Sequence, residues 1–141
     1  MEVHRLTANH LRRLLSAARL FDEPLSESAA RAYLEDERNV FFLALEGDRA
    51  VGFLRGTSLG QIKSIQRQMF IYEIGVDPAY QRRGIGRALI EAVLRYCRDL
   101  GFEEAFVFTD PANKAAVALY QSTGAATETP ADRMYVYKLS D

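Results

Sequence analysis

The stretch from Met69 to Leu100 constrains the fold of this chain more than any other part of its sequence. An apolar, β-branched and aromatic run, MFIYEIGV, predicts a buried strand over 69–76, and an amphipathic pattern predicts a helix that reaches Leu100. Between them, QRRGIG places glycines and arginines at the helix start. The first N–H groups of a helix lack intrahelical partners and attract anions, and glycine lets a ligand approach the backbone. The stretch therefore predicts a turn that binds a phosphate-bearing ligand.

The rest of the sequence predicts strands and helices on both sides of this unit. The predicted elements are a strand over 3–6, a helix ending near 20, a helix capped by Ser26, strands over 40–45, 50–57 and 69–76, a helix stopped by Gly101, a strand over 105–109, a helix over 114–122 and a strand over 133–139. A Gly47-Asp48 turn makes 40–57 an antiparallel hairpin, and 59–68 is predicted as a loop. This order predicts one α/β domain over 1–141, with a mixed sheet and helices on both faces.

Composition and charge exclude several classes of protein. The 141 residues are 48% hydrophobic and 26% charged, which is typical of one globular domain, and the net charge is -1. A nearly neutral chain argues against DNA or RNA as the main partner, because nucleic-acid binding rests on many phosphate contacts. The single cysteine, Cys97, excludes an internal disulfide and gives no metal-ligand cluster. Without a membrane-spanning run or a signal-peptide core, a cytoplasmic protein with no membrane partner is expected.

Two motifs in the chain resemble those of the GNAT acyltransferase superfamily. The run QRRGIGRA over 81–88 fits the signature Q/R-x-x-G-x-G/A, and it follows a predicted strand and opens a predicted helix. In NKAAVALYQSTGA, Asn113 and Tyr120 precede a glycine as in the second familiar element of that superfamily. The order of elements fits over nearly the whole chain. The resemblance implies a mixed, largely antiparallel central sheet that is flanked by helices and splayed at its central strands.

The resemblance implies acetyl-CoA as donor and CoA as product. The pyrophosphate is expected on the N–H groups at the helix start, where the helix dipole disfavours cations, so that arginines there need an anionic ligand. The pantetheine arm is expected along the strand over 69–76, with Gly75 as a bulge or splay point, or alternatively as a place of close packing. A backbone N–H near Val76 is expected to stabilise the developing oxyanion. The predicted cofactor-binding residues are Ile74, Gly75, Val76, Gln81, Arg82, Arg83, Gly84, Ile85, Gly86, Arg87, Ala88, Asn113 and Tyr120.

Glu73 is the predicted general base. The acceptor amine must lose a proton, and a carboxylate inside an apolar strand is costly unless it is used or paired. Strand alternation places Glu73 on the face opposite Tyr72 and Ile74. An ion pair with an arginine or lysine, or exposure at a half-open sheet, is the alternative interpretation. The resemblance implies that Tyr120 protonates the departing thiolate, unless it is a core tyrosine, and that Asn113 binds the pantetheine or stabilises the helix start.

Within the superfamily, the chain looks most like the small aminoglycoside 3-N-acetyltransferases. The matching features are FIYEIGV before the turn, the LFDEP loop after the first helix, and an acidic residue before NKAAVALY. This resemblance implies a small cationic amine as the acceptor and a role in antibiotic resistance. Carboxylates select such an acceptor by long-range attraction and by hydrogen bonds to its ammonium groups. The predicted substrate-binding residues are Asp22, Glu23, Glu73 and Asp110, and Asp110 is also a possible base that works with Glu73.

Two other interpretations stay open at the level of the sequence. One is a GNAT enzyme that acetylates a polyamine, a small-metabolite amine or a protein amine, because acceptor loops vary while the donor site does not. The other is a CoA-binding module without catalysis. By analogy with dimeric GNAT enzymes, the last strand, RMYVYKL over 133–139, is also a candidate for pairing across a homodimer interface.

Overall fold

The computed structural model describes residues 1–139 of the chain. Within these residues five strands form one sheet: β1 (Glu2–Arg5), β2 (Asn39–Glu46), β3 (Arg49–Leu59), β4 (Gln68–Val76) and β5 (Glu104–Val107). The α-helices are α1 (Leu11–Ser16), α2 (Glu27–Glu35), α3 (Ile85–Asp99) and α4 (Lys114–Ser122). Short 3-10 helices cover Ala8–His10, Ala18–Leu20 and Pro78–Tyr80.

The sheet is mixed, and its strands lie in the order β1-β2-β3-β4-β5. From β1 to β4, each strand pairs antiparallel with the next one in the chain, and β5 pairs parallel with β4. A turn at Gly47, with φ +59°, joins β2 to β3, so the predicted hairpin is confirmed. The parallel pair needs a crossover, which α3 supplies. A largely antiparallel mixed sheet with flanking helices is the fold class that the sequence predicted.

Apolar side chains fill both faces of the sheet. On one face, Leu89 of α3 packs in a core that also contains Met69 of β4, and both side chains are fully buried. On the other face, Leu14 of α1 packs with Phe41 and Phe53. Burying each such side chain contributes roughly 1.5–3 kcal/mol to folding. The two cores attach helices to opposite faces of one sheet. The ends of β4 and β5 therefore lie between the two layers of helices.

The long helix α3 has the boundaries that its sequence predicts. It begins after Gly84, and Gly101 follows its end with φ +73°, a conformation that favours glycine. Cys97 lies on the buried face, and burial raises the pKa of its thiol to about 11, so the thiol stays protonated at neutral pH. None of the helices within residues 1–139 has both the length and the apolar content that a membrane crossing needs.

A bulge in β4 marks the place where the sheet opens. Arg55 of β3 pairs with Glu73, but the next residue, Gly56, pairs with Ile71, so Tyr72 is an extra residue in β4. β5 pairs with β4 only as far as Ile71. Beyond that residue the two parallel strands have no common ladder. The predicted splay of the central strands therefore begins at Tyr72.

The prediction of a bulge at Gly75 is wrong. Gly75 pairs in register with Phe53, and a Cβ atom at position 75 would lie 2.6 Å from Phe53 Cε1. Glycine is needed here because the aromatic ring lies directly against the strand, which is the close packing that we named as the alternative. The bulge falls instead on a tyrosine, since an extra residue in a strand does not require a glycine.

The predicted last strand is also absent from the sheet. Residues 133–139 are described, but they form no strand, and Tyr137 is 88% exposed. Alternating apolar residues express a local preference for extended backbone, and a strand also needs a partner edge. Two predicted elements end earlier than expected. The first helix, predicted to end near 20, ends at Ser16 and is followed by a 3-10 turn, and the strand predicted over 105–109 ends at Val107.

Candidate functional site

The turn between β4 and α3 has the geometry of an anion cradle. Gly84 precedes the helix with φ +79°, and the first helical hydrogen bond runs from Ala88 N to Gly84 O at 3.0 Å. The N–H groups of Ile85, Gly86 and Arg87 precede that bond and have no helical acceptor. These donors and the positive end of the helix dipole face the same side of the turn. The glycine turn at the start of α3 therefore forms as predicted, and phosphate binding at this turn stays a prediction.

The residues on either side of Gly84 differ in what they contact. Arg82 has φ +64°, which is uncommon outside glycine and is maintained only when the surrounding chain imposes it. Within residues 1–139 its side chain makes no hydrogen bond or ion pair, so it is available to a ligand. Arg83 lies over the Tyr80 ring at 4.9 Å, and Arg87 donates to Ser122 O at 3.1 Å. Two of the three predicted arginines are thus held by the protein.

Helix α4 packs beside the start of α3. A Cβ atom at Gly86 would lie 3.1 Å from Leu119 Cδ2, so this glycine lets the two helices approach each other. Asn113 caps α4, because its side-chain oxygen accepts from Ala116 N at 3.1 Å. This contact is the alternative role that the sequence offered for Asn113. Its side-chain NH2 group is not used in that cap.

Tyr120 lies on α4, half-buried against the core below α3. Burial raises the pKa of its phenol above the ordinary value of 10.0, because the charged phenolate loses hydration there. The side chain therefore keeps its proton over the neutral range. A protonated phenol that lies partly in the core fits both interpretations of Tyr120, the proton donor and the packed tyrosine.

The open edge of β4 presents backbone groups beyond the last pair with β5. Asp77 N donates to Val51 O at 2.8 Å in the register that pairs Gly75 with Phe53. Because the polar groups of successive strand residues point to opposite sides, Gly75 faces β3, whereas Ile74 and Val76 face the gap toward β5. Gln81 Nε2 lies 3.5 Å from Val76 O. Ile74 and Val76 can therefore pair with an extended ligand, and the backbone of Gly75 cannot.

A pocket of about 670 Å³ opens beside this edge. Its walls include the predicted residues Asp22, Glu73, Ile74, Gly75, Val76 and Gln81. Phe21 brings the LFDEP loop against the strand, because its ring stacks on Phe53 with 4.2 Å between centroids. Residues from the first 25 positions and from β4 thus meet in one cavity. This size suits a small-molecule site.

Glu73 is paired in the structure. Arg55 Nε lies 2.5 Å from Glu73 Oε1, and the Arg55 guanidinium also lies 4.3 Å from the centre of the Tyr72 ring. Tyr72 and Glu73 therefore reach the same guanidinium. The prediction from alternation that they lie on opposite faces is wrong, because the bulge interrupts the alternation. The ion-pair alternative for Glu73 is correct, and the pocket lining still includes Glu73.

The sequence did not single out Asp77, which is the centre of a second ionic cluster. Arg19 Nη2 lies 2.9 Å from Asp77 Oδ2, and Arg49 Nη2 lies 3.4 Å from the same oxygen. The N–H of Ala79 donates to Asp77 Oδ1, and this bond together with Arg19 holds the pKa of Asp77 below 3.8. Arg19 also donates to Ala50 O. The cluster ties the segment before the LFDEP loop to the turn.

The other predicted carboxylates are only partly brought together. Asp22 lines the pocket, whereas Glu23 and Asp110 lie outside its walls. Asp110 is exposed after β5, and its Oδ1 accepts from Ala112 N at 2.8 Å. No contact joins Asp110 to Glu73 among the described residues. Asp22, Glu23 and Asp110 have no ion-pair partner within residues 1–139.

The donor set fits acetyl-CoA better than it fits a metal ion. N–H groups at a helix start and an unpaired strand edge match a pyrophosphate and an amide-containing arm. No group of three or more His, Cys, Asp or Glu side chains is placed to hold a metal ion in the part of the chain that the structure describes.

Comparison with known sequences identifies related proteins. A sequence profile of the Acetyltransferase (GNAT) family matches residues 8–125. N-acetyltransferase 8 of Homo sapiens is 29% identical over 94 residues, which are 67% of this chain and 41% of that protein. N-alpha-acetyltransferase RimI of Mycobacterium tuberculosis is 38% identical over 109 residues, which are 76% of this chain and 66% of that protein. The chain therefore matches from 41% to 66% of the length of these relatives.

Comparison with solved structures gives matches along nearly the whole chain. An aminoglycoside acetyltransferase from an uncultured soil metagenomic sample, solved in complex with sisomicin, has a TM-score of 0.88 and 29% identity. The match covers 97% of this chain and 96% of that chain. AAC(6')-Iy in complex with a bisubstrate analogue has a TM-score of 0.79 and covers 99% and 98% of the two chains, but at 20% identity it supports the fold alone.

Proposed function

Because this chain belongs to the acetyltransferase (GNAT) family, we propose that it transfers the acetyl group of acetyl-CoA to an amine by direct attack in a ternary complex. The observation that carries the proposal is the turn before α3, with its unpaired N–H groups and the unpartnered side chain of Arg82. The N–H groups of Ile85, Gly86 and Arg87 hold the pyrophosphate, with the side chains of Gln81 and Arg82 beside them. The open edge at Ile74 and Val76 holds the pantetheine arm. Gly84 and Gly86 have no side chain that could block the approach of the pyrophosphate to the backbone.

Acetyl-CoA supplies the acetyl thioester, and the chain supplies the proton transfers. The amine forms a C–N bond as the C–S bond breaks, so one proton leaves nitrogen and one is needed at sulfur. Glu73 accepts the amine proton, directly or through a water molecule. Tyr120 gives its proton to the leaving sulfur, which its raised pKa permits at neutral pH. Val76 N stabilises the oxyanion, and Asn113 Nδ2 is the remaining side-chain donor toward the pantetheine.

The proposed acceptor is an aminoglycoside-type amine, with its 3-amino group as the suspected position. The support is the likeness over nearly the whole chain to an aminoglycoside acetyltransferase solved with sisomicin. Asp22 lies in the pocket wall, and Asp22, Glu23 and Asp110 are carboxylates without an ion-pair partner in residues 1–139. Such groups attract a polycation and accept hydrogen bonds from its ammonium groups. An enzyme of this kind, acting in the cytoplasm, would confer antibiotic resistance on its host.

A protein α-amine is the second candidate acceptor. The relative RimI of Mycobacterium tuberculosis is an N-alpha-acetyltransferase at 38% identity. In addition, Glu73 and Asp77 in the pocket are paired with arginines, which reduces the negative potential that a polycation would meet. A polyamine or a small-metabolite amine remains an alternative acceptor. A CoA-binding module without turnover is the alternative of another class.

Thermal unfolding with CoA tests the donor site first. A ligand at one hundred times its Kd stabilises the folded state by about 2.7 kcal/mol. For 141 residues the unfolding entropy is about 0.3 kcal/mol/K, so the expected rise in Tm is about 9 °C. Pantetheine, which lacks the pyrophosphate, is the matched control and should raise Tm much less. No shift at millimolar CoA would refute the donor assignment.

A panel of acceptors then separates the candidate functions. Thiol release from acetyl-CoA is measured with gentamicin, sisomicin, spermidine and a peptide with a free α-amine. Turnover with the aminoglycosides alone supports the first proposal, and turnover with the peptide alone supports the second. Expression in a susceptible bacterial host should raise the inhibitory concentration of the acetylated aminoglycoside. CoA binding without turnover of any amine would leave the non-catalytic module.

A homodimer is proposed from the exposed C-terminal segment. The exposed large apolar side chains in it are Met134, Tyr135, Val136, Tyr137 and Leu139, from 66% to 96% exposed. β5 is the outer strand and pairs only with β4 in the described sheet. An extended segment added to β5 of a second copy would bury these side chains and pair that edge. Light scattering after size exclusion should give twice the monomer mass, and Tyr135→Asp should give a monomer. A wild-type monomer at all concentrations would contradict this.

A further inference from the structure

We propose that Arg55 is a positioning residue that acts through Glu73 and fixes which carboxylate oxygen takes the amine proton. The inference rests on the proposed function, because it assumes that Glu73 is the base. Arg55 lies outside both motifs of the family resemblance, and no pattern in the sequence identified it. It stands on β3, while the groups that bind the donor stand on β4, α3 and α4.

The bulge at Tyr72 creates the pair. If the same residues continued the ladder from the pair Gly56–Ile71 without a bulge, Arg55 would lie opposite Tyr72 rather than Glu73. With the extra residue, Arg55 and Glu73 are direct partners, and Arg55 Nε lies 2.5 Å from Oε1. The position of the carboxylate is therefore set by strand register and by a directed hydrogen bond.

Two aromatic rings hold the guanidinium in place. Its central carbon lies 4.3 Å from the centre of the Tyr72 ring and 5.7 Å from the centre of the Tyr33 ring. Tyr33 is itself fixed, because its hydroxyl donates to Val40 O at 2.7 Å and lies 3.0 Å from Gly56 O. Burial raises the pKa of Tyr33 to about 12, so this hydroxyl remains a donor. A guanidinium stacked on tyrosine has little freedom to leave the carboxylate.

The pair uses one carboxylate oxygen and leaves the other. Arg55 engages Oε1, and Oε2 has no partner within residues 1–139. A carboxylate fixed at one oxygen presents the other in a single direction, which a proton acceptor in catalysis requires. Glu73 is 40% exposed in its side chain, so solvent screens the pair and its effect on stability is small. The consequence of losing Arg55 should therefore appear in turnover rather than in folding.

A double-mutant cycle tests whether Arg55 acts through Glu73. The variants are Arg55→Met, Glu73→Gln and the double variant, with turnover measured on the best acceptor of the panel. Loss of a general base lowers kcat by about 10²- to 10⁴-fold. We expect Arg55→Met to lower kcat about tenfold in the wild-type background. In the Glu73→Gln background it should change kcat less than about twofold, because an effect that runs through Glu73 is then already lost.

Two controls separate positioning from a general structural effect. Arg55→Lys should recover part of the turnover, and the KM for acetyl-CoA should stay unchanged in all variants. Arg38→Met removes an arginine whose Nη2 lies 2.9 Å from Asp36 on the surface, and kcat should not change. Unchanged kcat in Arg55→Met, or the same fold loss in both backgrounds, overturns the inference. An unaffected Glu73→Gln enzyme overturns the general-base assignment of the proposed function as well.

Discussion

Gly75→Ala should destabilise the protein through a contact that is measurable in the structure. The new Cβ would lie 2.6 Å from Phe53 Cε1 and 3.3 Å from Cδ1 and Cζ. Phe53 cannot move freely, because it is 2% exposed and stacks on Phe21 and Phe41. Overpacking of this kind costs about 1–3 kcal/mol, and such a short contact belongs to the upper half of that range. Alanine also reduces the entropy of the unfolded chain, which offsets about 0.4–1 kcal/mol.

The net loss of about 1–2.5 kcal/mol corresponds to a fall in Tm of about 3–8 °C, from an unfolding entropy of about 0.3 kcal/mol/K. Scanning calorimetry measures it. Because Phe53 carries Phe21 of the pocket wall, the KM for the acceptor should rise while CoA still raises Tm. Gly60→Ala is the control, since its Cβ would meet only the guanidinium of Arg67, at 3.1 Å, and no buried ring. A wild-type Tm for Gly75→Ala would refute the packing argument.

Three further predictions concern charge, proton transfer and helix contact. The carboxylate of Asp77 accepts the Ala79 N–H, which holds its pKa below 3.8. The ionised carboxylate therefore stabilises the fold fully above pH 3.8, and this stabilisation is lost as the pH falls through the lowered pKa. Asp77→Asn should flatten the fall in Tm below pH 4. Tyr120→Phe should lower kcat about 10- to 100-fold, measured by thiol release, with the Kd of CoA unchanged by calorimetry. Gly86→Ala places a Cβ 3.1 Å from Leu119 Cδ2, so α4 must shift and CoA should bind several-fold more weakly in a titration.

The parts of the fold that depend on local sequence could be predicted. The strand of 68–76, the turn at Gly84 and the helix up to Asp99 follow from periodicity and from glycine at a left-handed position. Their hydrogen bonds join residues that are close in sequence. Whether residues 133–139 form a strand could not be predicted in this way. Their alternating residues favour an extended backbone, but a strand also requires the edge of another strand to pair with.

The parts of the site that depend on register could not be predicted. The partner of Glu73 is Arg55 because the ladder leaves Tyr72 unpaired, and nothing in the sequence MFIYEIGV marks Tyr72 as the bulged residue. Asp77 and Arg19 are 58 residues apart in the chain, so their ion pair follows from the tertiary fold. The sequence predicted that Glu73 is either used or paired, because a carboxylate in an apolar strand is costly otherwise. It did not identify Arg55 as the partner.

The bulge in β4 also limits how the length of this strand can change in homologous proteins. Deleting Tyr72 would leave a regular ladder in which Ile71 still pairs with Gly56 and Glu73 still pairs with Arg55. Because Tyr72 and Glu73 share a face at the bulge, the residues on either side of this deletion would keep their faces, and Met69 and Ile71 would stay in the core beneath α3. Loss of a residue elsewhere in the strand would instead exchange the faces of the residues on one side of it. We therefore expect homologous proteins to lose a residue of β4 only at the bulge, where the loss removes the Tyr72 ring beside Arg55.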